Sequence, residues 1–376
     1  MEKKTYTNNG KISSRQTLRL YVFDLMGIAT LLIPPYLAKL CGANGIYAIL
    51  LGTGCGVLYL FYLGWIMKQM GSDIVTYLIE QKETLGSKIF FGMTFVHSIL
   101  TAGFCAYVFA NLMQYSLVKE TPYVTILLLI LLTATYAVSG GIESRARVYE
   151  VLFYFILVPY IVMMLASVRD FEWAYVEPVL EWNSSNLGKG THLVFLFFTP
   201  LFFSLFLIGE KEKNYGRNVI KTILVSVLLS GGILLGSYIL LMGNFGTRSL
   251  ETLRFPVITL MSTVQFEGNF LKRMDALMLA VWFFTLYALL NLHLHYGVLM
   301  CTKLCKKSSW KQKAFPGIVV LFVSLGFHLK ENLKELFFAY YGYGAVLFML
   351  LSPLLVLGMG KGKEKRNAIS EENKQN

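Results

Sequence analysis

The chain has 376 residues, 55% of them hydrophobic and only 15% charged, and its mean hydropathy is positive. Soluble domains carry nearer a quarter charged residues, so this composition excludes an ordinary soluble enzyme or binding domain. The formal charge of +12 is no nucleic-acid footprint, and no nucleic-acid partner is expected. The basic residues collect in alternate connections, as the positive-inside rule requires of a protein threaded repeatedly through lipid.

Residues 1–16 form a polar tail bearing Lys3, Lys4, Lys11 and Arg15, with no cleavable signal pattern. Ten apolar runs follow, at roughly 17–39, 45–67, 89–117, 122–140, 145–167, 190–209, 218–243, 274–302, 314–329 and 334–358, each read as a transmembrane helix. An even count puts both termini on one side, and the basic connections make that side the cytoplasm. The connection GSDIVTYLIEQKETLG (71–86) has helical periodicity on the inner side. The outer connection 245–270 contains an apolar run too short to span. Both are expected to be helices lying along the interface. The segment 169–190 is an acidic, aromatic outer loop, and the tail 361–376 is polar and expected to be disordered. The domain expected is therefore one membrane domain, 17–360, with a tail at each end.

Two spans carry helix breakers. The first, LRLYVFDLMGIATLLIPPYLAK (18–39), holds Gly27 and the pair Pro34-Pro35. The sixth, THLVFLFFTPLFFSLFLIGEK (191–211), holds Thr199-Pro200 with Ser204 one turn on. Proline lacks an N–H and clashes with the carbonyl one turn back, and glycine permits unwinding. Interrupted spans at matching positions of two halves mark a transporter-type binding site. The fold class expected is therefore an all-α polytopic membrane protein of about ten transmembrane helices. It is read as an inverted 5+5 repeat, with halves at about 17–167 and 190–358 and with spans one and six broken. The break in span one is placed at 26–30. Backbone groups freed there would be satisfied by protein or by a ligand.

The ligand-binding candidates are accordingly Gly27, Ile28, Ala29 and Thr30 from span one and Thr199, Pro200, Phe203 and Ser204 from span six. Tyr107 of span three and Thr285 of span eight join them, with Asn111 and Asn291 as weaker cavity-lining candidates. Asp24 lies at membrane depth, where a carboxylate is expensive and tends to be functional or paired. Its roles are to neutralise a substrate amine, to bind a coupling proton or cation, or to pair with a base such as Arg147. The alternative is a protonated or interfacially solvated group. Arg147 and Glu150 share a face of span five and read as a rim ion pair. His293 and His295 diverge on one helix and make a poor metal pair. Five cysteines without a CxxC give neither a disulfide framework nor a metal site. No HExxH, P-loop or GxSxG occurs, so neither a cofactor nor enzymatic activity is expected.

Several segments occur in a characteristic order: KISSRQ (11–16), MGIATLLIPP (26–35), GGIESRARVYEVLF (140–153), VEPVLEWNSSNLGKG (176–190) and NFLKRMDALMLAVWFF (269–284). In this set the chain resembles the B subunit of the spore germinant receptors, a branch of the amino acid–polyamine–organocation transporter superfamily. The resemblance covers nearly the whole chain. It implies a ten-span inverted-repeat fold with a central site lined by spans one and six. It also implies residence in the spore inner membrane and a complex with an A subunit and a C lipoprotein, surrounded by membrane lipid. The implied role is sensing of a small nutrient, typically an amino acid. The family's Gly-x-Gly in the first span is here Gly27-Ile28-Ala29, and Asp24 has no counterpart in its pattern. An autonomous proton- or cation-coupled amino acid permease is the alternative function.

Overall fold

The computed structural model describes residues 12–80, 85–176, 184–207, 215–263, 274–305 and 309–359. The two polar tails therefore fall largely outside the described residues. Every regular element among the described residues is helical: α1 (Ser14–Cys41), α2 (Gly45–Met70), α3 (Ile74–Glu80), α4 (Leu85–Ser116), α5 (Tyr123–Val138) and α6 (Gly141–Ala166) in the first part. The second part has α7 (Ser184–Leu196), α8 (Tyr215–Leu250), α9 (Pro256–Thr263), α10 (Met274–Cys305), α11 (Trp310–Leu329) and α12 (Glu331–Met359). Among the described residues, eight helical runs are long and apolar enough to cross a membrane, and the shorter α5 is apolar as well. The short α3 and α9 occupy the two connections expected to hold interfacial helices.

The helix boundaries follow from local chemistry. Ser13 caps α1, its hydroxyl accepting from the Gln16 amide at 3.2 Å while the Gln16 side chain accepts from the Ser13 amide at 2.9 Å. This reciprocal box satisfies two of the free N–H groups that open a helix. At the other end Gly42 takes φ 53°, a left-handed turn that leads into α2. Tyr238 of α8 locks that turn by donating its hydroxyl to the Gly42 carbonyl at 2.6 Å.

The helices sort by what surrounds them. α1 packs against α8, α10, α6 and α7, and α10 packs against α4. These helices hold most of the core, including the fully buried Leu31, Leu37, Phe109 and Trp282. In contrast α5 and α6 turn Leu132, Tyr136, Val151 and Phe155 outward, and α11 and α12 do the same with Phe322, Leu347 and Leu355. Outward apolar bands of this kind belong in hydrocarbon rather than water, which makes the chain an integral membrane protein.

The two interrupted segments differ. α1 is helical without a gap from Ser14 to Cys41, through Gly27 and both prolines, so the break expected at 26–30 is absent. The cause is packing. A Cβ built on Gly27 would lie 2.7 Å from Thr285 Cβ and 3.0 Å from the Thr285 backbone, so Gly27 serves close approach of α1 to α10 rather than unwinding. Thr30 then donates its hydroxyl back to the carbonyls of Met26 (3.0 Å) and Gly27 (3.4 Å) and accepts from Trp282 Nε1 at 3.3 Å. In the sixth segment the α-helix stops at Leu196, and the chain tightens into a 3-10 helix over Thr199–Phe206.

Candidate functional site

A cavity of about 250 Å³ lies where α1, α4, the end of α7, α10 and α12 meet. α1 contributes Asp24, Leu25, Ile28, Leu32, Ile33 and Tyr36, and α4 contributes Thr101, Phe104 and Cys105. Leu193, Leu196, Phe197 and Pro200 come from the α7 end, Leu289 from α10, and Phe337, Phe338 and Tyr341 from α12. The lining is overwhelmingly apolar, and its aromatic wall is stacked internally: the Phe104 and Phe337 ring centroids are 4.6 Å apart. A cavity of about 150 Å³ is enough to take benzene, so this one fits a single small apolar or amphipathic molecule.

The wall at Pro200 shows how a broken span is kept satisfied. The proline ring displaces the carbonyl of Leu196, four residues earlier. That carbonyl accepts from Thr199 Oγ1 at 2.6 Å and from the Tyr341 hydroxyl at 3.4 Å, and the two hydroxyls are themselves 2.7 Å apart. α12 therefore holds the interrupted segment at this point through Tyr341, and its Gly342 carbonyl lies 2.9 Å from His192 Nε2 of α7. Tyr340, next to it, begins a π-helical stretch to Ala345. Such a stretch inside an α-helix commonly marks a functional position.

The charged floor is built by α1, α6 and α10. Asp24, 2% exposed, forms an ion pair with Arg145, which is 8% exposed and also donates to the Ala288 carbonyl at 2.9 Å. The expected partner of Asp24, Arg147, is instead paired with Glu143 one turn earlier on its own helix. Two residues apart on a helix, Arg145 and Arg147 face different directions, and only Arg145 faces α1. Glu150 likewise pairs with α1 and not with Arg147. It accepts from Gln16 Nε2 at 2.9 Å and lies 3.3 Å from Arg19. α1 is thus fastened to α6 at two levels.

Of the residues singled out from sequence, Ile28 and Pro200 face the cavity, as does Asp24. Gly27 and Thr285 are pressed together, and Thr30 is tied to its own helix and to Trp282. Ala29 is buried. Thr199 stands behind Pro200, bonded to Tyr341. Phe203 stacks on Tyr296 with centroids 4.3 Å apart, and Ser204 is fully buried beside it. Tyr107 and Asn111 line a second cavity of about 340 Å³, together with Lys39, Arg254, Glu251 and Lys334. The two cavities share Leu32, Tyr36, Phe104 and Phe338 as a common partition. The histidines, scattered in sequence, partly gather: the His97 and His293 rings are 5.7 Å apart. His97 Nδ1 is 3.1 Å from the Tyr340 hydroxyl. Among the described residues no group of three or more His, Cys, Asp or Glu is placed to hold a metal.

Arg145, Tyr341 and the aromatic face of α12 were not among the sequence candidates. Arg145 is visible only as a base near the start of span five. The α12 aromatics sit in a span with no breaker at 337–341 to draw attention to them.

Comparison with known proteins agrees with this architecture. The family model for spore germination proteins matches residues 11–332. Spore germination protein KB of Bacillus subtilis (strain 168) is 26% identical, over 96% of this chain and 97% of that protein. Spore germination protein A2 of the same organism is 24% identical, over 92% and 94%. Among solved structures, MhsT in complex with L-phenylalanine superposes with a TM-score of 0.68 at 12% identity, covering 92% of this chain and 88% of MhsT. A substrate-bound, outward-open Na+-coupled sialic acid symporter gives 0.64 at 11% identity, covering 94% and 91%. The fold is that of these two structures, and the chain belongs to the spore germination protein family.

Proposed function

We propose that the chain is the nutrient-sensing membrane subunit of a spore germination receptor, and that it binds a small germinant, an amino acid, in the 250 Å³ cavity. The observation that carries this reading is the cavity itself. It is enclosed by the helices that hold the transporter fold together and is separated by an aromatic partition from the second cavity with its charged residues. A ligand admitted through that partition touches α1, α4, the 3-10 segment and α12 at once. It shifts a conformational balance only by binding one arrangement of these helices better than another. One neighbour of this fold is described in complex with L-phenylalanine, a ligand of the size this cavity takes.

In this reading the chain has ten spans in one domain, 17–360. The run Ser14–Glu80 supplies two of them, α5 supplies a short one, and the other seven long runs supply one each. The halves 17–167 and 190–358 are inverted copies, both termini are cytoplasmic, and the membrane is the spore inner membrane. Receptor A and C subunits carry the signal onward.

Deletion of the gene tests this. Loss of germination to one class of nutrient, restored by the intact gene, is the expected result. Unchanged germination to every nutrient, together with lost amino acid uptake in growing cells, would establish the autonomous permease instead.

A further inference from the structure

In a transporter-like site the polar head of a ligand is commonly met by backbone groups freed where spanning helices break. Here α1 is not broken beside the cavity, and the carbonyl freed at Pro200 is already taken by Thr199 and Tyr341. Head-group recognition therefore falls to side chains. Four polar side chains line the cavity: Asp24, Tyr36, Thr101 and Tyr341. Tyr36 is 53% exposed at the rim, and the Tyr341 hydroxyl is engaged. Among these lining residues two atoms are buried with no partner in the protein, Asp24 Oδ2 and Thr101 Oγ1, on residues only 2% and 4% exposed; behind the lining, Arg145 Nε and Nη1 are unpartnered as well. Buried polar atoms in this position are costly unless something meets them.

The charges decide what meets them. Arg145 engages Asp24 Oδ1 and the Ala288 carbonyl from behind and is not part of the lining. The one acidic side chain the cavity presents is Asp24, with one oxygen spare. An anionic ligand finds no cation in the lining. A polyol finds too few partners among the apolar and aromatic walls. A ligand that carries an ammonium group and, beside it, a hydrogen-bond acceptor on an apolar body satisfies both unpartnered atoms, the first at Asp24 Oδ2 and the second at Thr101 Oγ1.

We propose that Asp24 Oδ2 receives the ammonium of the germinant at the inner end of the cavity, with Thr101 Oγ1 donating to the ligand's carboxylate, so that the ligand class is an apolar α-amino acid. The assignment rests on the reading of this cavity as the germinant site. A zwitterion adds no net charge to the neutral Asp24–Arg145 pair. Its side chain lies among Ile28, Phe104, Phe337 and Phe338. Asp24 then joins the ligand on one oxygen and α6 on the other, so occupancy is felt directly by the α1–α6 fastening.

The test uses the full-length protein purified in detergent micelles, with binding measured by calorimetry. The probes are L-valine, L-leucine and L-phenylalanine, each beside its decarboxylated amine and its deaminated acid; for leucine these are 3-methylbutylamine and 4-methylpentanoate. The amino acid that binds is expected to lose at least about tenfold in affinity when its amino group is removed, the scale of a hydrogen bond to a charged group. It is expected to lose less when its carboxylate is removed. Asp24→Asn is expected to lower affinity for the amino acid by a similar factor and to leave the weak binding of the deaminated acid unchanged. If that variant does not fold, the ligand series decides alone. Equal affinity for 4-methylpentanoate and leucine, or wild-type leucine affinity in Asp24→Asn, overturns the assignment while the cavity stands as a ligand site. Binding of none of the probes overturns both.

Discussion

Span one and span six carry the same kind of interruption in sequence and answer it in opposite ways. Pro34 and Pro35 sit inside an unbroken helix, whereas Pro200 ends one. The difference lies in the neighbours. α1 is enclosed by α8, α10, α6 and α7, and Gly27 is wedged against Thr285 so closely that the helix has no room to unwind. At Pro200 two hydroxyls wait for the displaced carbonyl, so leaving the α-helix costs little. A breaker thus marks where a helix can open, and the surrounding groups determine whether it does.

The largest expected effect attacks the rigid side of this comparison. Arg145→Gln leaves Asp24 buried and unpaired, a loss of about 3–5 kcal/mol by analogy with other buried pairs. Asp24→Asn combined with Arg145→Gln is expected to recover much of that loss. Thermal unfolding in detergent micelles reads both, and equal stability of the single and double variants would contradict a direct pair. Next, Gly27→Ala forces a Cβ against Thr285 and is expected to cost about 1–3 kcal/mol by overpacking. Gly232→Ala, where a Cβ meets nothing within 4 Å, is the control and should be neutral or better. Thr285→Gly should relieve part of the cost of Gly27→Ala, because it removes the Cβ and Oγ1 contacts and leaves the one to the Thr285 backbone.

Smaller effects probe the open side. Thr199→Val and Tyr341→Phe each remove one donor from the Leu196 carbonyl, for about 1 kcal/mol each. Because they share that acceptor their double variant should not be additive. Additivity would mean that the two hydroxyls act separately. Smallest of all in function, Pro34→Ala and Pro35→Ala lie in a segment that is helical already and should leave the nutrient dose response unchanged. Pro200→Ala should instead shift the nutrient dose response, because it lets α7 extend toward Ser204. Matching responses for Pro34→Ala and Pro200→Ala would erase the distinction between the two spans.

Much of the fold was legible because spanning helices announce themselves by length and apolarity. The short helices α3 and α9 were legible, the first from its helical periodicity and the second from an apolar run too short to cross. Thr199-Pro200 was legible as a break through the covalent chemistry of proline. What stayed hidden depends on register between helices. Asp24 was readable as a buried carboxylate, but the choice between Arg145 and Arg147 rests on which face of α6 meets α1. Helices apolar on every side carry almost no periodic signal of orientation. For the same reason Phe337, Phe338 and Tyr341 could not be told from outward-facing apolar residues such as Tyr343 and Leu347 nearby.

The central claim is that a nutrient occupies the cavity between α1, α4, the Pro200 segment and α12, and filling that cavity tests it most directly. Cys105 is fully buried and Ile28 nearly so, and both line the cavity, so Cys105→Leu and Ile28→Phe grow into its space. In spores containing normal amounts of each variant, the nutrient concentration for half-maximal germination should rise at least about tenfold, as expected for lost burial of a ligand side chain. Wild-type dose responses in both variants, to every nutrient the receptor serves, would contradict it.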